Sequence, residues 1–408
     1  MKKLSRLFFI PALILAGITP SFSQQEKSPV KDFDKMPVLN WKYDTGSKIF
    51  SSPVIDEDVV YIGGCDSILH AIDLASGKQR WQLHTGGEIR SAICFDHQSL
   101  YLNGGDGNLY AVDKKTGSTN WIYKTKGEHR YDFADYFNST PVLKNGMIYF
   151  ASGDSALYSI HADNGSLQWS YKTGGLVHNI PALDDDKLYA GSFDGNVYAL
   201  NLADGKLIWK FKTVGHDYFP RGEVQGSPAV FNGMVFIGAR DYNVYALDAA
   251  KGYCHWNKAF TRGWGLCTSI HDSTLYIGSA DERVLISADP LTGHEHWNKK
   301  MEFLVFGNNV YSENLLYIGT TIGKLHGISL KTGEKLWSFE TNSYKKNRFN
   351  FFKQDDSYRD DIYSIIKSNE EFLDAECALG GIFSSAAITE NYLVFTSTEG
   401  IIYCLKRS

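Results

Sequence analysis

The residue types best suited to chemistry are concentrated in two stretches of the chain. Residues 126–137 (KGEHRYDFADYF) and 214–225 (VGHDYFPRGEVQ) place acids, bases and aromatic rings close together. Cationic and amide groups of this kind can hold an anionic or polyhydroxyl ligand, and aromatic rings can form a stacking wall. We therefore predict a ligand-binding set formed by Arg90, Asn138, His178, Arg221, Glu223, Trp264, His129, Tyr131 and His216.

The familiar catalytic signatures are absent from the sequence. It contains no G-x-S-x-G, no H-E-x-x-H and no P-loop. Its six cysteines are dispersed and form no C-x-x-C pair, so we expect buried free thiols rather than a metal or redox site. We accordingly predict no catalytic residues and no metal ligands. The alternative for the polar set is a channel whose polar lining binds only water.

The elements that position these residues belong to an internal repeat. Residues 197–209 (VYALNLADGKLIW) show strand alternation, a tight Asp204-Gly205 turn and a returning strand that carries Trp209. Seven copies place a Gly four residues before the Trp, and Trp41 stands alone at the start. Steps between these tryptophans are 40, 40, 48, 40, 47, 41 and 40 residues. A fixed period near forty residues indicates a repeat architecture.

Each repeat reads as four short strands, which predicts an all-β, eight-bladed β-propeller of four-stranded antiparallel blades. The last unit, 385–406, has only three strands, so we expect the N-terminal strand with Trp41 to complete it and close the ring. We predict inner strands beginning at Ser51, Ser91, Ser139, Asn179, Gly226, Leu266, Gly307 and Ser385. The repeated indoles are predicted to dock between blades: Trp41, Trp81, Trp121, Trp169, Trp209, Trp256, Trp297 and Trp337.

The pattern A-x-D-x-x-x-G-x-x-x-W, seen for example at Ala71, Asp73, Gly77 and Trp81, resembles the PQQ-like β-propeller repeat family. The resemblance covers about residues 41–340 and 383–405. It implies one of two branches: quinoprotein dehydrogenases holding pyrroloquinoline quinone (PQQ) and Ca²⁺, or the cofactor-free BamB-like scaffold of outer-membrane assembly. The dehydrogenase branch uses a clamp of adjacent cysteines, which this chain lacks. We expect no cofactor, with PQQ and Ca²⁺ as the alternative.

The N-terminal region predicts export. Residues 1–23 combine a basic start, an apolar run and a Ser-Phe-Ser cleavage site, which is typical of a signal peptide. Residues 24–40 read as a tether, and 41–408 as the propeller. The apolar run is about half the ~20 residues that a membrane span needs, so we expect no transmembrane segment. No Cys precedes Cys65, so we expect no lipid anchor. We expect a periplasmic or secreted monomer. A net charge of −5 argues against a nucleic-acid partner.

Loops from an outer strand to the next inner strand emerge on one face, and the irregular sequence is confined to them. The largest is an insertion at 342–382, predicted to be partly helical from about residue 360 to 379. Loops on a rigid scaffold commonly carry function. We therefore predict a non-catalytic binding or scaffold protein that uses this face for a protein or glycan partner. The alternative is an enzyme on the same face, either a PQQ-dependent dehydrogenase or a polysaccharide-active lyase or hydrolase.

Overall fold

The computed structural model describes residues 30–302, 306–307 and 309–408. These residues form eight four-stranded antiparallel sheets arranged as the blades of a propeller, which confirms the predicted fold class. The predicted signal peptide, 1–23, and the first part of the predicted tether, 24–29, lie outside the described residues.

Seven blades are built from four consecutive strands, ordered from the inside outwards. Blade 1 contains β2 Val54–Asp56, β3 Val59–Gly63, β4 Ile68–Asp73 and β5 Gln79–His84. Blade 2 contains β6 Cys94–Phe95, β7 Ser99–Asn103, β8 Asn108–Asp113 and β9 Thr119–Lys124. Blade 3 contains β10 Val142–Lys144, β11 Met147–Ser152, β12 Ala156–His161 and β13 Leu167–Lys172. Blade 4 contains β14 Ala182–Asp184, β15 Lys187–Gly191, β16 Asn196–Asn201 and β17 Leu207–Lys212.

The remaining blades follow the same order. Blade 5 contains β18 Ala229–Phe231, β19 Met234–Gly238, β20 Asn243–Asp248 and β21 Cys254–Ala259. Blade 6 contains β22 Gly265–His271, β23 Thr274–Ser279, β24 Val284–Ala288 and β25 Glu295–Lys300. Blade 7 contains β26 Val310–Tyr311, β27 Leu315–Gly319, β28 Lys324–Ser329 and β29 Lys335–Glu340. Blade 8 contains β30 Ala387–Ile388, β31 Tyr392–Thr396, β32 Ile401–Lys406 and the N-terminal strand β1 Val38–Asp44.

Blade 8 closes the ring as predicted. Strand β1 pairs antiparallel with β32, from Val38 opposite Lys406 to Asp44 opposite Ile401. The apolar layer between blades 8 and 1 includes Ile62, Val394 and Ile402, all fully buried. Pairing with β1 covers the edge that β32 would otherwise expose, and open edges invite intermolecular strand pairing.

Each repeat indole contacts the following blade. In the first seven of these indoles Nε1 donates a hydrogen bond to a carbonyl of that blade, over 2.8 Å from Trp41 to Leu74 and 3.1 Å from Trp209 to Ala249. The ring also lies against the repeat glycine of that blade: a Cβ on Gly77 would come within 2.7 Å of the Trp41 ring. The small residue is therefore required both by the turn, where its φ is +70°, and by the close approach of the indole. This is the placement that a structural role requires.

The last repeat indole, Trp337, forms its hydrogen bond with the N-terminal segment and not with a hairpin of the next blade. Trp337 donates to the carbonyl of Phe33 over 2.5 Å, and the Phe33 ring is buried. Asp32 accepts hydrogen bonds from Ser312 and from the backbone of Asn314. Residues 32–33 thus lie against blade 7, within the region that the sequence predicted to be a tether.

The inner strands begin about three residues later than predicted in most blades. The residues predicted to start these strands instead use their side chains to bond the carbonyl groups of the adjacent strand. Ser51 Oγ donates to the Gly63 carbonyl, and Asn179 Nδ2 donates to the Gly191 carbonyl. Side-chain hydrogen bonds therefore replace ladder bonds near the axis, where eight strands converge and backbone pairing is interrupted.

Candidate functional site

Residues 129–137, which we call the plug loop, fill the entrance to the propeller axis. This entrance lies on the face that carries the loops from each outer strand to the next inner strand, which we call the loop face. The Tyr136 ring of the plug loop packs on Phe50 of the blade 1 entry at 5.4 Å and on Phe306 and Phe383 at 5.6 and 4.7 Å. Arg90 donates from Nη1 to the Tyr136 carbonyl over 3.2 Å. On the opposite side of the ring, Gln225 at the entry to blade 5 donates from Nε2 to the Ala134 carbonyl over 3.0 Å, so the loop lies across the axis.

Buried charge pairs hold the plug loop in place. His178 lies between two carboxylates: Nδ1 is 2.8 Å from Asp135 Oδ2, and Nε2 is 2.5 Å from Glu128 Oε1. Burial alone lowers the pKa of His178, but the charges and hydrogen bonds of Asp135 and Glu128 outweigh it and raise the pKa to about 10. The imidazole is therefore a cation at neutral pH, and both of its nitrogens are engaged within the protein.

A second charge pair joins the plug loop to blade 5. Arg240 is completely buried and forms a two-pronged ion pair with Asp132, in which Nη2 is 3.2 Å from Oδ1. Its Nε donates to Gln225 Oε1 over 2.9 Å. Aromatic faces surround the guanidinium, with the Trp264 ring 4.2 Å and the Phe193 ring 5.1 Å away. The arrangement gives the buried guanidinium a countercharge, three hydrogen-bond acceptors and aromatic faces.

The sequence prediction did not include Arg240, although a signal for it exists. Arg240 lies in the turn that follows the second strand of its blade. The equivalent residue in each of the other blades is uncharged: Cys65, Gly105, Gly153, Phe193, Ala280, Thr321 and Thr398. A lone charged residue at such a point indicates a local partner. Asp135 and Glu128 were also missed as partners of His178, because 43 and 50 residues separate them from it.

A cleft of about 600 Å³ opens between the plug loop and the 214–225 loop. We call it the loop-face cleft; its lining is Tyr131, Asp132, Tyr218, Phe219, Pro220, Arg221, Glu223 and Arg240. Tyr131 donates its hydroxyl proton to Glu223 Oε1 over 2.6 Å. Burial and then this bond raise the pKa of Tyr131 to about 12, so it remains a donor at neutral pH. Glu223 Oε2 is buried and has no hydrogen-bond partner among the described residues.

The structure brings some of the predicted ligand-binding residues together and separates others. Tyr131, Arg221 and Glu223 line the cleft. Trp264 lies behind it, against Arg240, and the His216 ring stacks at its rim on Tyr218 at 5.6 Å.

The other predicted ligand-binding residues lie away from the cleft. Asn138 and His178 are buried, and Arg90 is held by Glu88 and the Tyr136 carbonyl. His129 is exposed. A ligand-binding role for these four stays a prediction.

The insertion at 342–382 forms the second irregular region of the same face. It contains α1 Asn342–Asn347, a 3₁₀ turn Arg348–Asn350, α2 Ile362–Ile365 and α3 Asn369–Ala378. The predicted single helix is interrupted after α2 because Ser368 starts a new one, its Oγ accepting from the Glu371 amide over 3.1 Å. Tyr344, Phe352 and Leu379 bury their side chains against blades 6 and 7.

One carboxyl group of the insertion is buried without compensation. Glu376 on α3 is 3% exposed, and neither of its oxygens has a hydrogen bond of acceptable geometry within the described part of the chain. Thr321 Oγ1 faces it and is likewise unpartnered. Burial raises the pKa of Glu376 to about 8, since the neighbouring Thr321 hydroxyl and the attraction of Arg283 only partly offset desolvation.

The described residues contain neither a cluster of metal ligands nor a membrane-spanning helix. Within 30–302, 306–307 and 309–408, no group of three or more His, Cys, Asp or Glu side chains has the arrangement to hold a metal ion. Over the same residues, no helix has the length and apolar character to cross a membrane.

Comparison with known proteins identifies the relatives of this architecture. The family model for outer membrane protein assembly factor BamB matches residues 38–132, 126–218 and 194–357. BamB from Moraxella catarrhalis superposes with a TM-score of 0.66 at 14% identity, covering 91% of this chain and 100% of that one. Quinohemoprotein alcohol dehydrogenase from Comamonas testosteroni superposes with a TM-score of 0.66 at 13% identity, covering 90% and 76%. At these identities the likeness shows the fold alone.

A sequence match adds a dehydrogenase fragment. The chain is 38% identical over 69 residues to quinoprotein alcohol dehydrogenase PedH of Pseudomonas putida, which covers 17% of this chain and 11% of that protein. The match therefore spans about a tenth of the relative.

Proposed function

This chain belongs to the family of outer membrane protein assembly factor BamB, and from that membership we propose that it is an exported, non-catalytic platform for a protein partner in the cell envelope. The observation that carries the proposal is the closed axis. With the plug loop packed into the entrance, a partner can dock across the axis, beside the loop-face cleft.

The exposed apolar side chains of the loop face support a protein partner. They form what we call the apolar rim, which consists of Phe133, Val214, Tyr218, Phe349, Tyr363 and Ile365. Tyr218 and Tyr363 are 79% and 82% exposed, so nearly the whole of each side chain is available to a partner. Aromatic residues that present large apolar area with a polar tip are typical of the energetic centre of protein interfaces.

The residues present do not fit PQQ. The resemblance implies a clamp of adjacent cysteines over the cofactor, and the sequence has no adjacent cysteines. The axis entrance is occupied by Tyr136, Phe383 and Phe306, packed ring against ring. We therefore propose that the protein works without this cofactor. Titration with PQQ and Ca²⁺, followed by cofactor absorbance and a dye-linked alcohol oxidation assay, tests the dehydrogenase alternative; saturable binding with turnover would overturn the proposal.

Affinity capture with rim variants tests the platform directly. We expect the purified chain to capture an outer-membrane assembly component from an envelope extract of its own cells. A Val214→Ser, Tyr363→Ser, Ile365→Ser variant should lose that component by at least about tenfold, because its anchors are removed. The matched control replaces Ile122, Ile208 and Leu336, which are 45%, 40% and 51% exposed on outer strands. Equal capture by both variants would contradict a rim-based platform.

A further inference from the structure

We propose that the loop-face cleft binds an uncharged oligosaccharide of two or three rings. This goes beyond the platform function and does not depend on it, since the apolar rim could bind a protein whether or not the cleft takes a ligand. The inference rests on the size of the cleft, the balance of its charges, and one exposed aromatic ring held in place by its own turn.

The size of the cleft sets the class of ligand. Its volume of about 600 Å³ lies within the range of about 300–1,000 Å³ of small-molecule sites. It is too large for a single water or ion, and it opens to solvent between two loops. A short chain of sugar rings, which is wider than an amino acid and need not be fully enclosed, matches such an opening.

The charges that line the cleft balance. Arg240 and Asp132 satisfy each other as a two-pronged pair. The remaining charges are one carboxylate, Glu223, and one guanidinium, Arg221, whose side chain makes no hydrogen bond or ion pair among the described residues. A strongly anionic ligand would meet two carboxylates, and a strongly cationic one two guanidiniums. The lining therefore favours a neutral ligand.

The polar groups nevertheless call for hydrogen bonds. A carboxylate accepts only and a guanidinium donates only, so the two together suit a ligand whose groups do both. Hydroxyl groups have that property. Glu223 receives one donor, Tyr131, and its second oxygen has none, while Arg221 at the mouth has its donors available. A ligand dense in hydroxyl groups would complete both sets.

The aromatic wall supplies the apolar half of the site. His216 and Phe219 exchange two backbone hydrogen bonds, of 3.0 and 2.9 Å, which close a tight turn around Tyr218. The Phe219 ring packs edge-on against Trp264 at 5.3 Å, so this turn is anchored to blade 6. The turn thus presents the Tyr218 ring, 79% exposed, at the cleft. The C–H face of a sugar ring packs well on such a surface.

Calorimetric titration of the purified full chain tests the proposal with defined probes. The uncharged probes are maltotriose, cellotriose and the trimer of N-acetylglucosamine; the charged probes are trigalacturonate and the trimer of glucosamine. We expect saturable binding of at least one uncharged trisaccharide, and at least about tenfold weaker binding of that probe by Arg221→Ala and by Tyr218→Ala. Both side chains are exposed, and a thermal melt confirms that each variant is folded.

The control is Tyr363→Ala, which removes an equally exposed tyrosine from the insertion and should leave binding unchanged. The proposal is overturned if none of the three uncharged probes binds at about 5 mM, a concentration that would reveal even a millimolar dissociation constant. It is also overturned if only a charged probe binds, or if the two cleft variants bind as the parent does. Arg221 is not part of the apolar rim, so loss of sugar binding in Arg221→Ala with protein capture intact separates this proposal from the platform function.

Discussion

The plug loop and the insertion at 342–382 lie on the same face of the propeller, and they bury charge in opposite ways. The buried charges that hold the plug loop are matched: His178 lies between Asp135 and Glu128, and Arg240 is paired with Asp132. In the insertion the carboxyl of Glu376 is buried with no hydrogen bond of acceptable geometry to any described residue.

Burying an ionised group is costly unless a partner replaces the lost water, so the two regions should respond differently to substitution and to pH. A matched network makes the plug loop a part of the core. The unmatched carboxyl of Glu376 should make the insertion less stably packed on the propeller than the plug loop is.

The largest effect is expected from His178→Ala. Removing this cation leaves Asp135 and Glu128 buried as like charges, which should lower the free energy of unfolding by about 3–5 kcal/mol. Chemical denaturation at pH 7 measures it, with His161→Ala, whose partner Gln168 is at the surface, as the control. A loss below about 1 kcal/mol would show that the plug loop is not held by this network.

The same group gives a pH dependence with a defined sign. The pKa of His178 is raised from 6.5 to about 10 on folding. Below about pH 6.5 the imidazole is charged in the folded and unfolded chains, so its stabilisation is fully present; it is lost as pH rises through 10. The parent protein should therefore lose stability over this window relative to His178→Ala. Parallel curves would contradict the ion-pair assignment.

Two tyrosines of the plug loop provide a matched pair with a smaller effect. Tyr131→Phe removes the donor to Glu223 and should cost about 1.5–3 kcal/mol, as expected for a bond to a charged group. Tyr136→Phe removes a buried hydroxyl that has no partner among the described residues, so it should be neutral or slightly stabilising. Thermal melts of both variants make the test. Equal losses would mean that ring packing, and not hydrogen bonding, decides the stability of this loop.

Glu376→Met should have the opposite sign to His178→Ala. Replacing the unpartnered carboxyl with an apolar side chain of similar length should raise the free energy of unfolding by about 1–3 kcal/mol at pH 8. Between about pH 4.5 and 8 only the unfolded chain ionises this group, so the gain should grow across that window and then level off. The control is Glu370→Met, an exposed position on the same helix. A destabilised Glu376→Met would remove the contrast between the regions.

The smallest effect is expected at the surface of the insertion. Lys353 pairs with Asp360 at 2.5 Å, but the carboxylate is 91% exposed. Lys353→Ala should therefore leave the midpoint of chemical denaturation unchanged at low and at high salt, because solvent screens this pair. A clear fall in the midpoint, measured by the same denaturation assay, would show that surface charges also attach the insertion.

The sequence predicts the scaffold well because the scaffold is periodic. A tryptophan and a glycine at fixed spacing in each unit are enough to count the blades and to expect closure by the N-terminal strand. Tyr131, Arg221 and Glu223 of the cleft were found because they stand in stretches that break the period.

The partners of the buried charges were not predictable in the same way. Arg240 pairs with Asp132 across 108 residues, and no spacing rule links two loops that meet only when the ring closes. The separation of α2 from α3 was missed because the apolar residues of 360–379 follow one stripe, whereas the Ser368 cap decides the break.

Hydrogen exchange of the plug loop is the most direct test of the claim that this loop closes the axis as part of the core. The amides of Tyr131, Ala134 and Asp135 are hydrogen-bonded within the loop. We predict that a peptide covering 129–137 exchanges as slowly as the blade strands and much more slowly than one covering 355–366. Exchange of 129–137 at the rate of an open loop would contradict the account, because the axis would then be accessible and the face would not be a closed platform.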